Sequence, residues 1–399
     1  MILLHRLLAR RLLVPRVLLR RVAAAGLLAA ALLAGAAPAL AAKIGAVLSI
    51  TGPSEYLGVP EKAALEMDVA AVNAAGGVNG EKLELIVHDD GGDPNAAKVF
   101  ARTLAEEGVI AIVGGTTTGT TLAMIPVAES THTPLVSLAG GVEVIEPVRK
   151  WVFKTAHTDR MACERIFADL KRRGLARIAI VSGTDAFGRS MRTQCVKAAP
   201  AFGITVAHEE RFGPADTDVT PQLRALAAVP DLQAVVVAGH GQGPAIVTRT
   251  YRHLDIRLPL YQSYGVASKT FVALAGGAAD GVRLPASALL IADKLPDGDP
   301  QKPVVVRFAK TFSAATGLPV STFAGHAHDA LMLVVDAAKR AGGFDRTKLR
   351  DALEATKGFV GTGGVVTMSP TDHLGLDLGA FRMLEIDNGG WVLVSGQGS

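Results

Sequence analysis

The chain has 399 residues, 49% hydrophobic and 20% charged, with 43 Gly, 20 Pro and 2 Cys. That balance is too apolar for a disordered chain, lacks the glycine period of collagen and is too poor in cysteine for a disulfide framework. Residues 1–41 hold six of the 41 Lys and Arg and none of the 37 acids, so the rest carries 35 basic against 37 acidic residues; the body is mildly acidic, which excludes a general basic surface for nucleic acid.

Those six arginines (Arg6, Arg10, Arg11, Arg16, Arg20, Arg21) precede an apolar run at 22–34 and the A-x-A pattern Ala39-Leu40-Ala41. The run is about 13 residues, short of the roughly 20 that span a bilayer. Residues 1–41 therefore read as a signal peptide cleaved near Ala42, and the mature chain as exported to the periplasm. The absence of Cys near residue 41 argues against lipoprotein attachment there. Cys163 and Cys195 would meet an oxidising compartment, which leaves two outcomes open: a disulfide, or two buried free thiols.

Along the mature chain, strand-length apolar runs at 44–50, 83–88, 110–113, 135–137, 178–182, 204–209 and 234–238 alternate with amphipathic stretches at 60–75, 95–107, 160–173, 188–202 and 244–254. Continuous Val/Ile/Leu strands suit a parallel sheet covered on both faces, a doubly wound α/β fold. The pattern is interrupted at 151–157 and restarts at 178, as two α/β lobes with a cleft between them would. Ligands in such sheets bind beyond the carboxyl ends of the strands.

Motifs of catalysis fail on inspection. Gly239-His240-Gly241-Gln242-Gly243 would need Gly at 244 to complete a dinucleotide loop and has Pro. Gln262-Ser263-Tyr264-Gly265 has Tyr261 where a nucleophile elbow needs Gly. His326 and His328 fall two apart on a predicted helix and point to different faces, which leaves them a helix-surface or cleft-lining role rather than a shared metal. Asp89, Asp90 and Asp93 lack calcium-loop spacing and read as a strand-end turn and a helix cap. No cofactor, metal or enzymatic activity is expected. The informative segment is Gly114-Gly115-Thr116-Thr117-Thr118-Gly119-Thr120-Thr121, after a strand and before a helix predicted over 122–129. Hydroxyls and free N–H groups at a helix N-terminus suit a carboxylate, and five threonines exceed the needs of one cap. The small residues Leu138-Ala139-Gly140-Gly141 form a second such loop.

Ile44-Gly45, Thr51-Gly52-Pro53, Asn73-Ala74-Ala75-Gly76-Gly77-Val78-Asn79-Gly80, Asp89-Asp90, Asp93-Pro94, Ile112-Val113-Gly114, Phe187-Gly188 and His328-Asp329-Ala330 occur in the order seen in the periplasmic solute-binding proteins of branched-chain amino acid-type ABC importers. The resemblance covers essentially all of 43–395. It implies a type I binding fold: lobe one from 42–155 with 286–361, lobe two from 156–285 with 362–399, and hinge crossings near 155, 285 and 362. It implies an inner-membrane permease as partner and a monomer in solution. It places the ligand carboxylate at Thr117 and Thr118 with the backbone of Ala139, Gly140 and Gly141, and has Phe187, His240 and Tyr264 contributed by lobe two; Tyr56 joins the expected contacts. Amino acid-binding members have an acid where this chain has Tyr264. An ammonium buried without a counter-charge costs several kcal/mol, so the expected ligand is an aromatic or aliphatic carboxylate without an α-amino group. The alternative is a branched-chain or other amino acid, with Glu55 the nearby acid that could take the missing role.

Overall fold

Buried runs of Val, Ile, Leu and Ala build two sheets in the computed structural model, which describes residues 41–394. Apart from Ala41, the expected signal peptide lies outside the described residues. The first sheet holds β1 (Ala42–Leu48), β2 (Leu83–Asp89), β3 (Ala111–Gly114), β4 (Leu135–Ser137) and β5 (Val152–Lys154) in the order β2-β1-β3-β4-β5. All its pairings are parallel. Its central strands are buried along nearly their whole length, as strands roofed on both faces must be.

Three helices make the crossovers: α1 (Glu55–Ala74), α2 (Pro94–Glu106) and α3 (Thr118–Thr131). Asp93 starts α2, its carboxylate accepting the Asn95 N–H at 2.8 Å with Pro94 in the first turn. α1 begins five residues before the predicted 60, with Pro60 inside it. Pro60 is the sixth residue of the helix, past its first turn, so the Tyr56 carbonyl lacks its usual helical donor there. The earlier start puts Tyr56, Leu57 and Glu61 on one helix.

The second sheet follows the same logic. β6 (Arg177–Gly183), β7 (Thr205–Phe212), β8 (Ala234–Ala238), β9 (Leu260–Gln262) and β10 (Arg283–Ser287) are parallel. With them come α4 (Asp159–Arg172), α5 (Ala186–Ala198), α6 (Thr220–Ala227), α7 (Gly243–His253) and α8 (Lys269–Ala275). Cys163 of α4 and Cys195 of α5 form a disulfide with Cα atoms 5.0 Å apart, which settles the alternative the sequence leaves open. The chain then returns to the first sheet, where α9 (Lys302–Thr316) and α10 (Thr322–Ala341) pack on α1 and α11 (Arg346–Glu354) packs on α10. A hairpin of β11 (Phe359–Val360) and β12 (Val365–Val366) follows. Finally β13 (Phe381–Asp387) and β14 (Gly390–Leu393) add antiparallel strands, giving the order β14-β13-β10-β9-β8-β6-β7. The fold is α/β and doubly wound in two parts.

The chain passes between the two parts after β5, after β10, and a third time later than the expected 362. The amides of Thr362 and Gly363 donate to Asp329 of α10 at 2.7 and 2.8 Å. The Lys154 amide donates to the His373 carbonyl at 3.1 Å, continuing the edge of β5. These bonds hold 362–373 to the first part, so the last passage lies between His373 and β13. Short hairpin and loop segments carry no hydrophobic period that would reveal this.

Candidate functional site

The carboxyl ends of strands from both sheets meet around a cavity. From the first part, Thr116, Thr117 and Thr118 follow β3, and Leu138 and Gly140 follow β4. From the second, Phe187, His240 and Tyr264 follow β6, β8 and β9. Six of the nine expected contacts thus share one wall: Thr117, Thr118, Gly140, Phe187, His240 and Tyr264.

The threonines divide their work differently from expectation. Thr117 caps α3 by accepting the Thr120 N–H at 3.2 Å, and Thr120 returns the bond to the Thr117 amide. Thr121 pairs with the Gly115 carbonyl and Ser137. Thr116 accepts the Ser49 amide and donates to Glu61. Four hydroxyls therefore brace the loop itself, which corrects the reading that the run exceeds structural need. Thr118 differs. Its Oγ1 accepts the Gly141 N–H at 3.0 Å, and its own proton has no acceptor among the described residues. α3 also starts at Thr118 rather than 122, so the helix N-terminus opens at the cavity wall.

Three expected contacts stand outside that wall. The Gly141 amide is taken by Thr118, and the Ala139 carbonyl accepts the ammonium of Lys154. Tyr56 bridges the two parts instead: its hydroxyl accepts the Gly241 N–H at 2.5 Å and donates to the Gly265 carbonyl at 3.2 Å. Tyr264 bridges in the other direction, its hydroxyl 2.9 Å from the carbonyls of both Gly140 and His157. Gly140 is required here, since a Cβ would run into Phe187 and the Tyr264 hydroxyl.

The second part supplies an aromatic face. Phe187 meets Tyr264 edge-to-face at 5.5 Å and lies 5.8 Å from His240. His240 Nε2 is 3.3 Å from Asp185. Burial works against the Asp185 charge, but His240 and the amides of Gly188 and Phe187 outweigh it and hold the carboxylate near 2. Burial keeps Tyr264 a neutral phenol.

The first part adds His326, already named as a cleft-lining candidate, and three groups that sequence reasoning did not name, Leu57, Glu61 and Phe323. Leu57 and Glu61 lie four apart on α1, and Phe323 and His326 three apart on α10, the spacings that share a helix face. His326 thus takes the cleft-lining role, while His328 turns away to Asp68 at 2.8 Å. Glu55, the acid considered earlier, is exposed to solvent; Glu61 is 1% exposed and faces the cavity. Behind the cavity, burial pushes Lys154 down to about 7, opposed by Asp159. Burial and the Lys154 charge bring His157 to about 3, and burial drives His326 well below its usual value.

The chain matches the periplasmic binding protein family over residues 41–390. It is 25% identical, over 84% of this chain and 85% of the relative, to the leucine-, isoleucine-, valine-, threonine-, and alanine-binding protein of Pseudomonas aeruginosa. It is 24% identical, over 83% and 88%, to Leu/Ile/Val-binding protein homolog 3 of Brucella melitensis. An extracellular ligand-binding receptor from Rhodopseudomonas palustris HaA2 superposes with a TM-score of 0.82 at 28% identity, covering 89% of this chain and 99% of that one. Two doubly wound halves around one cavity, matched over almost the whole described length, lead to one conclusion: the chain belongs to the periplasmic binding protein family.

Proposed function

We propose that this protein is the extracytoplasmic receptor of an ABC importer and captures a small apolar α-amino acid for an inner-membrane permease. The observation that carries the reading is Thr118: a hydroxyl with an unused proton, at an open helix N-terminus, beside an apolar wall. That set of donors suits a carboxylate, and Leu57, Leu138, Phe187 and Phe323 suit an apolar body. The names of the Pseudomonas and Brucella relatives support an amino acid.

The expected preference for a simple acid rested on a cavity without an acidic group, and Glu61 removes that premise. The aromatic face still favours one second reading, an aryl carboxylate stacked on Phe187 and Tyr264, since such contacts add about 0.5–1.5 kcal/mol. A thermal-shift screen separates the two, because a ligand of the folded state raises the melting temperature by mass action. Leu, Ile, Val and Phe are expected to stabilise the protein more than benzoate-like acids. A response confined to the simple acids would reverse the assignment.

A further inference from the structure

Glu61 is a buried acid with no cation beside it. No Lys or Arg lines the cavity, and among the described residues no ion pair reaches Glu61. The Thr116 hydroxyl donates to its Oε2 at 2.5 Å while accepting the Ser49 amide at 3.0 Å, and Ser49 in turn donates to Asp90 at 2.6 Å. His326, 2% exposed in the same wall, keeps a buried Nδ1 without a partner. The Tyr56 hydroxyl on the same helix is used on Gly241 and Gly265. A carboxyl and an imidazole, both shut off from water and both turned to an empty volume, form a site prepared for a hydrogen-bond-rich cation.

We propose that Glu61, with His326, receives the ligand's primary ammonium and that this capture releases a proton. The proposal rests on the amino-acid reading above and names the group that enforces it. Thr116, which holds Glu61, and Thr118, which offers the carboxylate site, are two residues apart, so the two poles are set by neighbouring backbone positions roughly 4–7 Å apart. An α-amino acid, whose amine and carboxylate share one carbon, matches poles that close. In the empty cavity burial keeps the Glu61 proton on, Asp90 adds to the effect and the Thr116 hydrogen bond opposes it; His326 is neutral and brings no charge. When the ammonium arrives its charge replaces that proton. Neutral carboxyl plus ammonium becomes carboxylate–ammonium pair, and one proton leaves to buffer. A ligand without the amine leaves Glu61 protonated and moves no proton.

The test is calorimetric titration of the full chain in buffers of different protonation enthalpy, scanned from about pH 5 to 8. L-leucine and L-phenylalanine are compared with 4-methylpentanoate and 3-phenylpropanoate, which lack only the amine. The expected result is release of up to about one proton per amino acid bound, none for the acids, and tighter binding of the amino acids. Glu61→Gln is expected to abolish the release and to lower the preference for each amino acid over its amine-free counterpart roughly tenfold or more. The wild-type measurement needs no variant. Amino acids bound without proton release anywhere in that range would overturn the Glu61 role while leaving the amino-acid function standing. Binding of the acids alone overturns both.

Discussion

Thr118 and Glu61 show how one side chain sets a property of the cavity. Thr118→Val leaves the Gly141 amide without its acceptor and the ligand carboxylate without a donor, so affinity is expected to fall by roughly 1–3 kcal/mol. Unchanged affinity in titration calorimetry would remove Thr118 from the site. Glu61 makes a prediction for the empty protein. Its folded-state pKa lies above the unfolded one, so its stabilising contribution is full below about pH 4 and is lost as pH rises through the folded value. Glu61→Gln is therefore expected to melt above the wild type at alkaline pH and to lose that advantage near pH 4. Parallel melting curves at every pH would contradict the burial argument. Glu61 escaped sequence reasoning because Pro60 reads as a helix start. The helix in fact begins at Glu55, and only then do Leu57 and Glu61 fall on one face. His326 and Phe323 show a related limit: helical spacing marks a buried face without saying whether it meets a core or a cavity.

At the scale of elements, strands such as Ala234–Ala238 were legible because burial on both sides demands unbroken apolar residues. The third passage was not, because the 362–373 segment is tied down by Asp329 and by main-chain bonds to β5 rather than by an apolar stripe. The disulfide joins α4 to α5 across 32 residues, a loop whose closure is worth roughly 3–4 kcal/mol by chain entropy. The double variant Cys163→Ala/Cys195→Ala is expected to lose about that much in denaturant unfolding with ligand affinity retained; no loss would show the bond to be incidental. The passage after β5 carries a second prediction. His157, stacked 3.8 Å from Phe381, has a folded pKa of about 3 against 6.5. The unfolded chain then binds the extra proton, so stability falls as pH drops from 6.5 toward 3. His157→Phe is expected to flatten that acid limb of the melting profile, and an unaltered slope would assign the acid sensitivity elsewhere.

Over the whole molecule, two tyrosine hydroxyls join the parts on either side of the cavity, Tyr56 to Gly241 and Gly265, and Tyr264 to Gly140 and His157. Tyr56→Phe strands the Gly241 amide only when the cleft is shut, so it is expected to speed ligand release severalfold with little change in the association rate, as a loss of about 1 kcal/mol from the closed state implies. An unchanged dissociation rate in stopped-flow measurements would show that closure does not depend on it. All four atoms these hydroxyls reach belong to the main chain. Main-chain partners do not vary with the side chains beside them, so apart from Gly140, where a Cβ would meet the Tyr264 hydroxyl, and the two tyrosines themselves, residues lining the cavity can be exchanged without removing these contacts. The walls that meet a solute and most of the contacts that hold the two parts together are thereby separable within one chain.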